Sequence, residues 1–456
     1  MGTCRKYLAA AASVLDNAAD DLVLLYPLEP PNVPVNVIYI KLDSSHPSRP
    51  STVDASGQSF IRLKVPNGRN NCGFADLPTI TRWRRVPILA LAEGQKLLQA
   101  AKQFAALIFD SAAETDQSGV IQAGLWVQFR KTGLAMSPFP RDLGGSDLWE
   151  PGRYADLSAI LRLFGSADLS FARLFEGHVN AVSLVGRYGD REQLRVLAER
   201  VCGGGLSAVW GADDANGLQL LSGHKSVLRG KKILASGAGF ITDPVVTAKA
   251  DNGQVMCLLH LTTEERVDLS GWDALGMRST ATGTIDLSGM EVTSRSMLGG
   301  AGDFTRQPFF SGGAWRFCSA HVGATERLVD LFRDHLVTRS RGDDPYQLQR
   351  LAQCIASAKT ARSWVEEAAR RLSVEEADTD NVVAIANLTR MVTERCALDV
   401  MEAVQRGIGL TSFIRPHPVE RISRDLATYL RQPVPDLAMS DGARAFLVSK
   451  LPVGEF

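Results

Sequence analysis

From Pro87 the chain places apolar residues at helical intervals. In ILALAEGQKLLQAAKQFAALIFDSAA, residues 88–113, they recur every three to four positions, as one buried stripe of an amphipathic helix requires. YADLSAILRLFG, FARLFEGHVNAVSLVGRYG and DREQLRVLAERV repeat that spacing and predict a helical domain over 86–203. Gly203 to Gly205 interrupt it. Beyond them LSAVWG, LQLLSG, KSVLRG, KKILASGAGF, PVVTAKA, QVMCLLHL and GTIDLSGMEV are short apolar runs separated by Gly and Asn-Gly turns, which predicts antiparallel strands in a β domain over 204–300. Helical spacing returns after Gly313. Gln347 to Arg406 contains neither Gly nor Pro and carries two apolar stripes, with SVEEADTDN between them as a turn. With a helix near 313–338 and a shorter one after Pro418, this predicts a four-helix bundle within 301–456. The expected fold class is α+β, mainly α, with helical domain, antiparallel β domain and bundle in that order. Residues 1–85, rich in Pro, Ser and Asn without a sustained helical period, are expected to be an extension, loosely ordered.

Composition narrows the function. Fifty basic and fifty acidic residues cancel, and no long basic run offers a phosphate-tracking face, which argues against nucleic acid. Seven scattered cysteines, an odd number with no CxxC, point to reduced thiols in a cytoplasmic protein, without a disulfide framework or zinc site. LVLLYPLEPPNVPVNVIYI is apolar but holds four prolines, so it is not expected to cross a membrane as a regular helix. GAGF is not a dinucleotide fingerprint, there is no P-loop, and the histidines form no metal-binding pattern.

Several local motifs do carry chemistry. FPRDLGGSDL, Phe139 to Leu148, has the paired glycines of a tight loop. GWDALGMRSTATGTIDLSGMEV contains Gly276, Met277 and Arg278; PVERISRDLATYLRQPVPD contains the Arg424 and Asp425 pair; AVQRGIGLTSF contains Gln405, Gly407 and Gly409. Together with the domain order, these resemble the acyl-CoA dehydrogenase family of FAD-dependent enzymes over roughly Pro87 to Asp425.

That resemblance implies a cofactor site. Ser236 takes the place of a family Thr that bonds the flavin N5 edge, and Leu234 the place of a Trp packed on the ring. Trp210 and Gly211 stand in the loop that touches flavin and substrate, where Trp210 either lies against the isoalloxazine or fills core. Gln405, Gly407 and Gly409 match a segment reaching the FAD of a neighbouring subunit, and Arg339, with Arg341 as competitor, matches an arginine on its adenosine diphosphate half. The resemblance therefore implies FAD, or FMN in a monooxygenase, and a homodimer or homotetramer.

The usual catalytic carboxylate is missing. Eight residues past Asp425, where most members carry a Glu, stands Pro433; at the second family location stands Trp315. Asp436, His417, Asp213 and Asp214 remain as candidate bases, each with a capping, loop or turn role as the other reading. Three functions stay open: an oxidoreductase acting on an acyl thioester or related small molecule by hydride transfer to flavin N5, a flavin-dependent monooxygenase, or a non-catalytic flavoprotein or scaffold. An electron acceptor or a flavin reductase is the protein partner they imply.

Overall fold

A computed structural model describes residues 88–456 apart from 263–265, 375–377 and 432, with side chains from residue 94, and seven strands before residue 86. The expected extension, outside those strands, and the centre of the expected SVEEADTDN turn lie outside the described residues. The chain divides into two compact units, 1–96 and 97–456.

In the first unit, β1 (Leu22–Pro27), β2 (Ile38–Lys41) and β7 (Trp83–Arg85) form an antiparallel sheet of order β2-β1-β7. β3 (Thr52–Val53) pairs with β4 (Ser59–Phe60), and β5 (Arg62–Asn67) with β6 (Asn71–Asp76). No described helix is long and apolar enough to cross a membrane.

The helical domain is built from α1 (Ile88–Ser118), α2 (Ala123–Lys131), α3 (Tyr154–Ala167), α4 (Leu169–Tyr188) and α5 (Arg191–Cys202). Local chemistry sets their starts. Asp168 accepts the Phe171 N–H at 2.9 Å at the head of α4, and Asp190 with Gln193 forms a reciprocal capping box on α5. The apolar stripes meet in an aromatic cluster in which Phe164 lies edge-on to Phe171 and Phe175 at 5.3 and 5.1 Å.

In the β domain, β8 (Ser207–Trp210), β9 (Gln219–Leu221), β10 (Ser226–Arg229), β12 (Asp243–Ala250), β13 (Gly253–Leu258), β16 (Glu291–Val292) and β17 (Met297–Leu298) make a sheet of order β16-β10-β9-β12-β13-β17, with β8 on β12. Pairing is antiparallel except where β12 meets β8 and β9. β11 (Lys231–Ala235), β15 (Gly283–Asp286) and β14 (Val267–Asp268) form a second, three-stranded sheet.

The bundle consists of α6 (Trp315–Thr338), α7 (Pro345–Leu372), α8 (Thr379–Ile408), α9 (Pro418–Tyr429) and α10 (Pro435–Ser449). The expected order of helices, sheet and bundle is thus the one adopted. α3 and α6 cross closely because each offers a glycine to the other: a Cβ at Gly165 would meet the Ala320 carbonyl, and one at Gly323 the Arg162 carbonyl. The Ser158 and Ser319 hydroxyls bond across this crossing at 3.0 Å. The two most specific motifs also touch. Asp425 accepts the Met277 N–H at 2.7 Å, and Gly276 packs on the Arg424 carbonyl without room for a Cβ.

Candidate active site

A cavity of about 300 Å³ opens where α3, α4, β8, the segment before α6, and the α8 and Pro433 region converge. α4 contributes Glu176, Asn180, Ser183 and Arg187, spaced four, three and four residues apart, so one helical face presents four polar side chains. Trp149, Phe309 and Phe310 supply aromatic walls. Trp149 lies close against α4 because Gly186 has no side chain to displace it.

Charge on these walls is unevenly compensated. Glu176 is buried and held on both sides, by the Arg173 guanidinium and the Asn180 amide. Arg187 stacks 3.5 Å from the Phe309 ring centre, and Arg390 donates to the Pro433 carbonyl at 2.6 Å. Burial lowers the proton affinity of Arg316 and Arg390. Behind the cavity, burial and the charges of Arg173 and Arg390 push the His321 imidazole down to about 3, so it is neutral at working pH. Its ring stands edge-on to Tyr429 at 4.5 Å.

Pro433 and Val434 border the cavity. Proline therefore faces the space where the resemblance implies a carboxylate. Trp315 is fully buried against Tyr154, 5.1 Å between ring centres, while its neighbours Ala314 and Arg316 reach the cavity. None of Asp436, His417, Asp213 and Asp214 borders it. Asp213 pairs with the buried Lys232 at 2.5 Å; Asp214 accepts the Asn216 and Gly217 N–H groups in a turn. His417 caps α9 by accepting the Val419 N–H at 3.2 Å, and Asp436 is exposed in the first turn of α10.

The residues expected near flavin fall into two groups. Trp210 is buried and its indole N–H donates to the Ser236 carbonyl at 3.0 Å, and the Ile233 N–H bonds the Ala212 carbonyl, which brings Trp210, Gly211, Leu234 and Ser236 onto adjoining backbone. Leu234 is exposed with φ of 50°, a conformation that leucine rarely adopts. Arg339, Gln405, Gly407 and Gly409 lie at the far end of the bundle. Fifteen residues of α8 separate Arg390 from Gln405, roughly 22 Å of helix. Gly407 is needed where it stands, since a Cβ would strike the Phe332 ring.

Two family models match the chain: the acyl-CoA dehydrogenase N-terminal domain over residues 92–205 and the acyl-CoA dehydrogenase C-terminal domain over residues 315–431, together about half of it. The chain belongs to the acyl-CoA dehydrogenase family. Among curated members it is 23% identical over 371 residues to a mitochondrial isobutyryl-CoA dehydrogenase of Dictyostelium discoideum, covering 75% of this chain and 86% of that protein. It is 22% identical over 390 residues to a dibenzothiophene monooxygenase of Rhodococcus qingshengii, covering 76% of this chain and 92% of the other. Among solved structures, FMN-bound TdsC from Paenibacillus sp. A11-2 superposes with a TM-score of 0.68 at 19% identity, covering 78% of this chain and 98% of that one. The acyl-CoA dehydrogenase family thus includes relatives of this chain named for two different reactions.

The cavity fits the substrate side of a flavin site on physical grounds, with Val209 of β8 on its wall beside Trp210 of the group expected at the flavin ring. The buried Trp149 Nε1, Asn180 Oδ1, Tyr188 Oη, Arg316 Nε and Arg390 Nε have no hydrogen-bond partner among the described residues, and all five side chains border the same space. A small ligand with polar groups on an apolar frame suits aromatic walls and such unpaired atoms. Sequence reasoning passed over Glu176, Arg187, Arg316 and Arg390. For Glu176 and Arg187 the available signal was polar residues at helical spacing on a mostly apolar helix; Arg316 and Arg390 carried none.

Proposed function

We propose that this chain is a flavin-dependent oxidoreductase that oxygenates a small molecule, rather than one that removes a proton and a hydride from an acyl thioester. The observation that carries this is the character of the carboxylates around the cavity. Pro433 and Trp315 stand at the two family positions for the base, and the carboxylate that does border the cavity, Glu176, is committed to Arg173 and Asn180. A carboxylate whose oxygens are already taken up by a guanidinium and an amide is not free to accept a proton from a substrate.

Bound flavin, FAD or FMN, would supply the redox chemistry, accepting hydride in a dehydrogenase and activating dioxygen in an oxygenase. The chain's own contribution is to bind and to exclude water. Trp210, Gly211, Leu234 and Ser236 would hold the ring on the β-domain side, with the Ser236 hydroxyl as donor. Arg339, Gln405, Gly407 and Gly409 would serve the cofactor of a neighbouring subunit in a homodimer or homotetramer, their distance along α8 excluding their own cavity. Trp149, Phe309 and Phe310 keep the reacting region apolar. A flavin reductase is the partner that oxygenation calls for; an electron-acceptor protein and an acyl-CoA substrate belong to the dehydrogenase reading.

Absorbance between 350 and 500 nm after reconstitution with FAD or FMN tests flavin binding. Anaerobic mixing of the loaded protein with a panel of acyl-CoA thioesters then separates the two chemistries. No bleaching is expected there; in a separate aerobic reaction with a flavin reductase and NADH, indole and isotopically labelled dioxygen, a product carrying one labelled oxygen atom is expected, the other atom leaving as water. Anaerobic bleaching by an acyl-CoA would refute the oxygenase reading.

A further inference from the structure

Outside the cavity the buried arginines are paired: Arg153 with Asp156 at 2.7 Å, Arg421 with Asp168 at 3.5 Å, and Arg424 with Asp116 at 2.6 Å. The three that border the cavity are not. Among the described residues Arg316 has neither a carboxylate at ion-pair distance nor a hydrogen-bond partner, and its Nε is buried. Arg390 spends one donor on the Pro433 carbonyl and leaves its Nε unpaired; Arg187 lies over the Trp149 and Phe309 rings, with no carboxylate among the described residues at ion-pair distance. Glu176 acts on Arg316 only at a distance, because it is bonded to Arg173.

Two features add to this excess of positive charge. α6 begins at the cavity, where Ser311, Gly313 and Ala314 form part of the wall, and it has no acidic residue in its first turn and no side-chain cap. No acidic side chain offsets its positive end, although Gln307 Oε1 accepts the Ser311 N–H just before it at 3.0 Å. Gly313 lies directly under the Arg316 guanidinium, in the volume a Cβ would take, so the guanidinium is seated on backbone. A partly buried cation with no carboxylate at ion-pair distance is costly, and an anion that enters recovers part of that cost.

We infer that the substrate carries an oxyanion group, a carboxylate or a sulfinate, which pairs with the Arg316 guanidinium while its apolar remainder packs on Leu157, Val179 and Phe310. A planar guanidinium offers two parallel donors to two oxygens, which an ammonium cannot. This rests on the cavity being the substrate site of the proposed oxygenase. It extends that proposal to a substrate class.

Trp149 borders the cavity and the Trp315 ring lies 5.8 Å from the Arg316 guanidinium, so quenching of tryptophan fluorescence reports binding. Benzoate and benzenesulfinate are titrated against the neutral benzamide, on the full chain, with and without flavin. Both anions are expected to bind at least about tenfold more tightly than benzamide, a difference of roughly 1.4 kcal/mol. Arg316→Met should remove that preference while leaving benzamide affinity within about twofold, and Arg316→Lys should restore part of it. Equal affinities of the wild-type protein for anions and amide would overturn the inference without any variant. It would also be overturned if Arg316→Met weakened FMN but not riboflavin, since the arginine would then serve the flavin phosphate. Flavin titration is read separately by absorbance. Failure of flavin to bind with anion preference intact sinks the oxygenase proposal alone; bound flavin without anion preference sinks the anion site alone.

Discussion

Replacing Gly165 by alanine pits two effects of opposite sign against each other. Gly165 sits inside α3, where alanine is favoured over glycine by about 0.8–1.0 kcal/mol from backbone entropy alone. At this position, however, a Cβ would fall on the Ala320 backbone of α6, closer than real Cβ atoms approach. A backbone carbonyl cannot swing aside as a side-chain tip can, so the helices must part. Overpacking of this kind costs about 1–3 kcal/mol. Separation also strains the Ser158–Ser319 hydrogen bond at 3.0 Å, worth about 0.5–1.5 kcal/mol. The net expectation is destabilisation by about 1–3 kcal/mol, a fall in melting temperature of roughly 1–4 °C at this size. Gly177→Ala is the control. It lies inside α4 with nothing within 4 Å of the added Cβ, so it should stabilise by about 0.5–1 kcal/mol. Thermal melts followed by circular dichroism compare the pair. If Gly165→Ala melts at or above the wild type alongside Gly177→Ala, the close crossing of α3 and α6 is not what the glycine serves.

Two further outcomes follow from the same contacts. Burial first, then the Asp168 charge, raises the Asp425 carboxyl to about 7, against about 3.9 for an unfolded aspartate. Between those values the folded chain holds more protons than the unfolded one, so stability should fall as pH rises from about 4 to 7. Asp425→Asn keeps an oxygen for the Met277 N–H and loses the titration; its melting temperature should vary less over that window, and an unchanged slope would refute the assignment. Leu410, Phe413 and Ile414 are 75%, 57% and 54% exposed just past the Gln405 segment. If that end of the bundle meets a neighbouring subunit, Phe413→Glu should shift the mass measured by light scattering towards the monomer, and an unaltered mass would exclude Phe413 from the contact.

Much of the architecture could be read from spacing because secondary structure is a local matter. The stripes of α1, α3 and α4 and the gap-free run over α7 and α8 are periodicities in one chain segment, and a one-dimensional pattern is enough to detect them. Gly276, Arg424 and Asp425 marked the family for a similar reason: Gly276 packs on the Arg424 carbonyl and Asp425 holds the Met277 N–H, so the residue types are dictated by close backbone contact. The β-domain residues Trp210 and Gly211 and the residues Leu234 and Ser236 came from two separate motifs, and the structure sets them on adjoining backbone.

The cavity itself was beyond reach of the sequence. Asp213 was a candidate because it lies in the loop that the family resemblance sets against the flavin; only the tertiary structure reveals that its partner is the buried Lys232. Arg316 stood in plain view inside GGAWRFCSAH, and nothing in that string distinguishes it from the paired Arg421 or Arg424. What separates them is whether a carboxylate from a distant segment arrives within 4 Å, as Asp116 does for Arg424 and none among the described residues does for Arg316. The sequence by itself determined the helices, the sheet and the family, since these depend on local period and on residues required by backbone contact. Which charges remain uncompensated was decided only by the fold, because compensation depends on through-space distance between residues far apart in the chain.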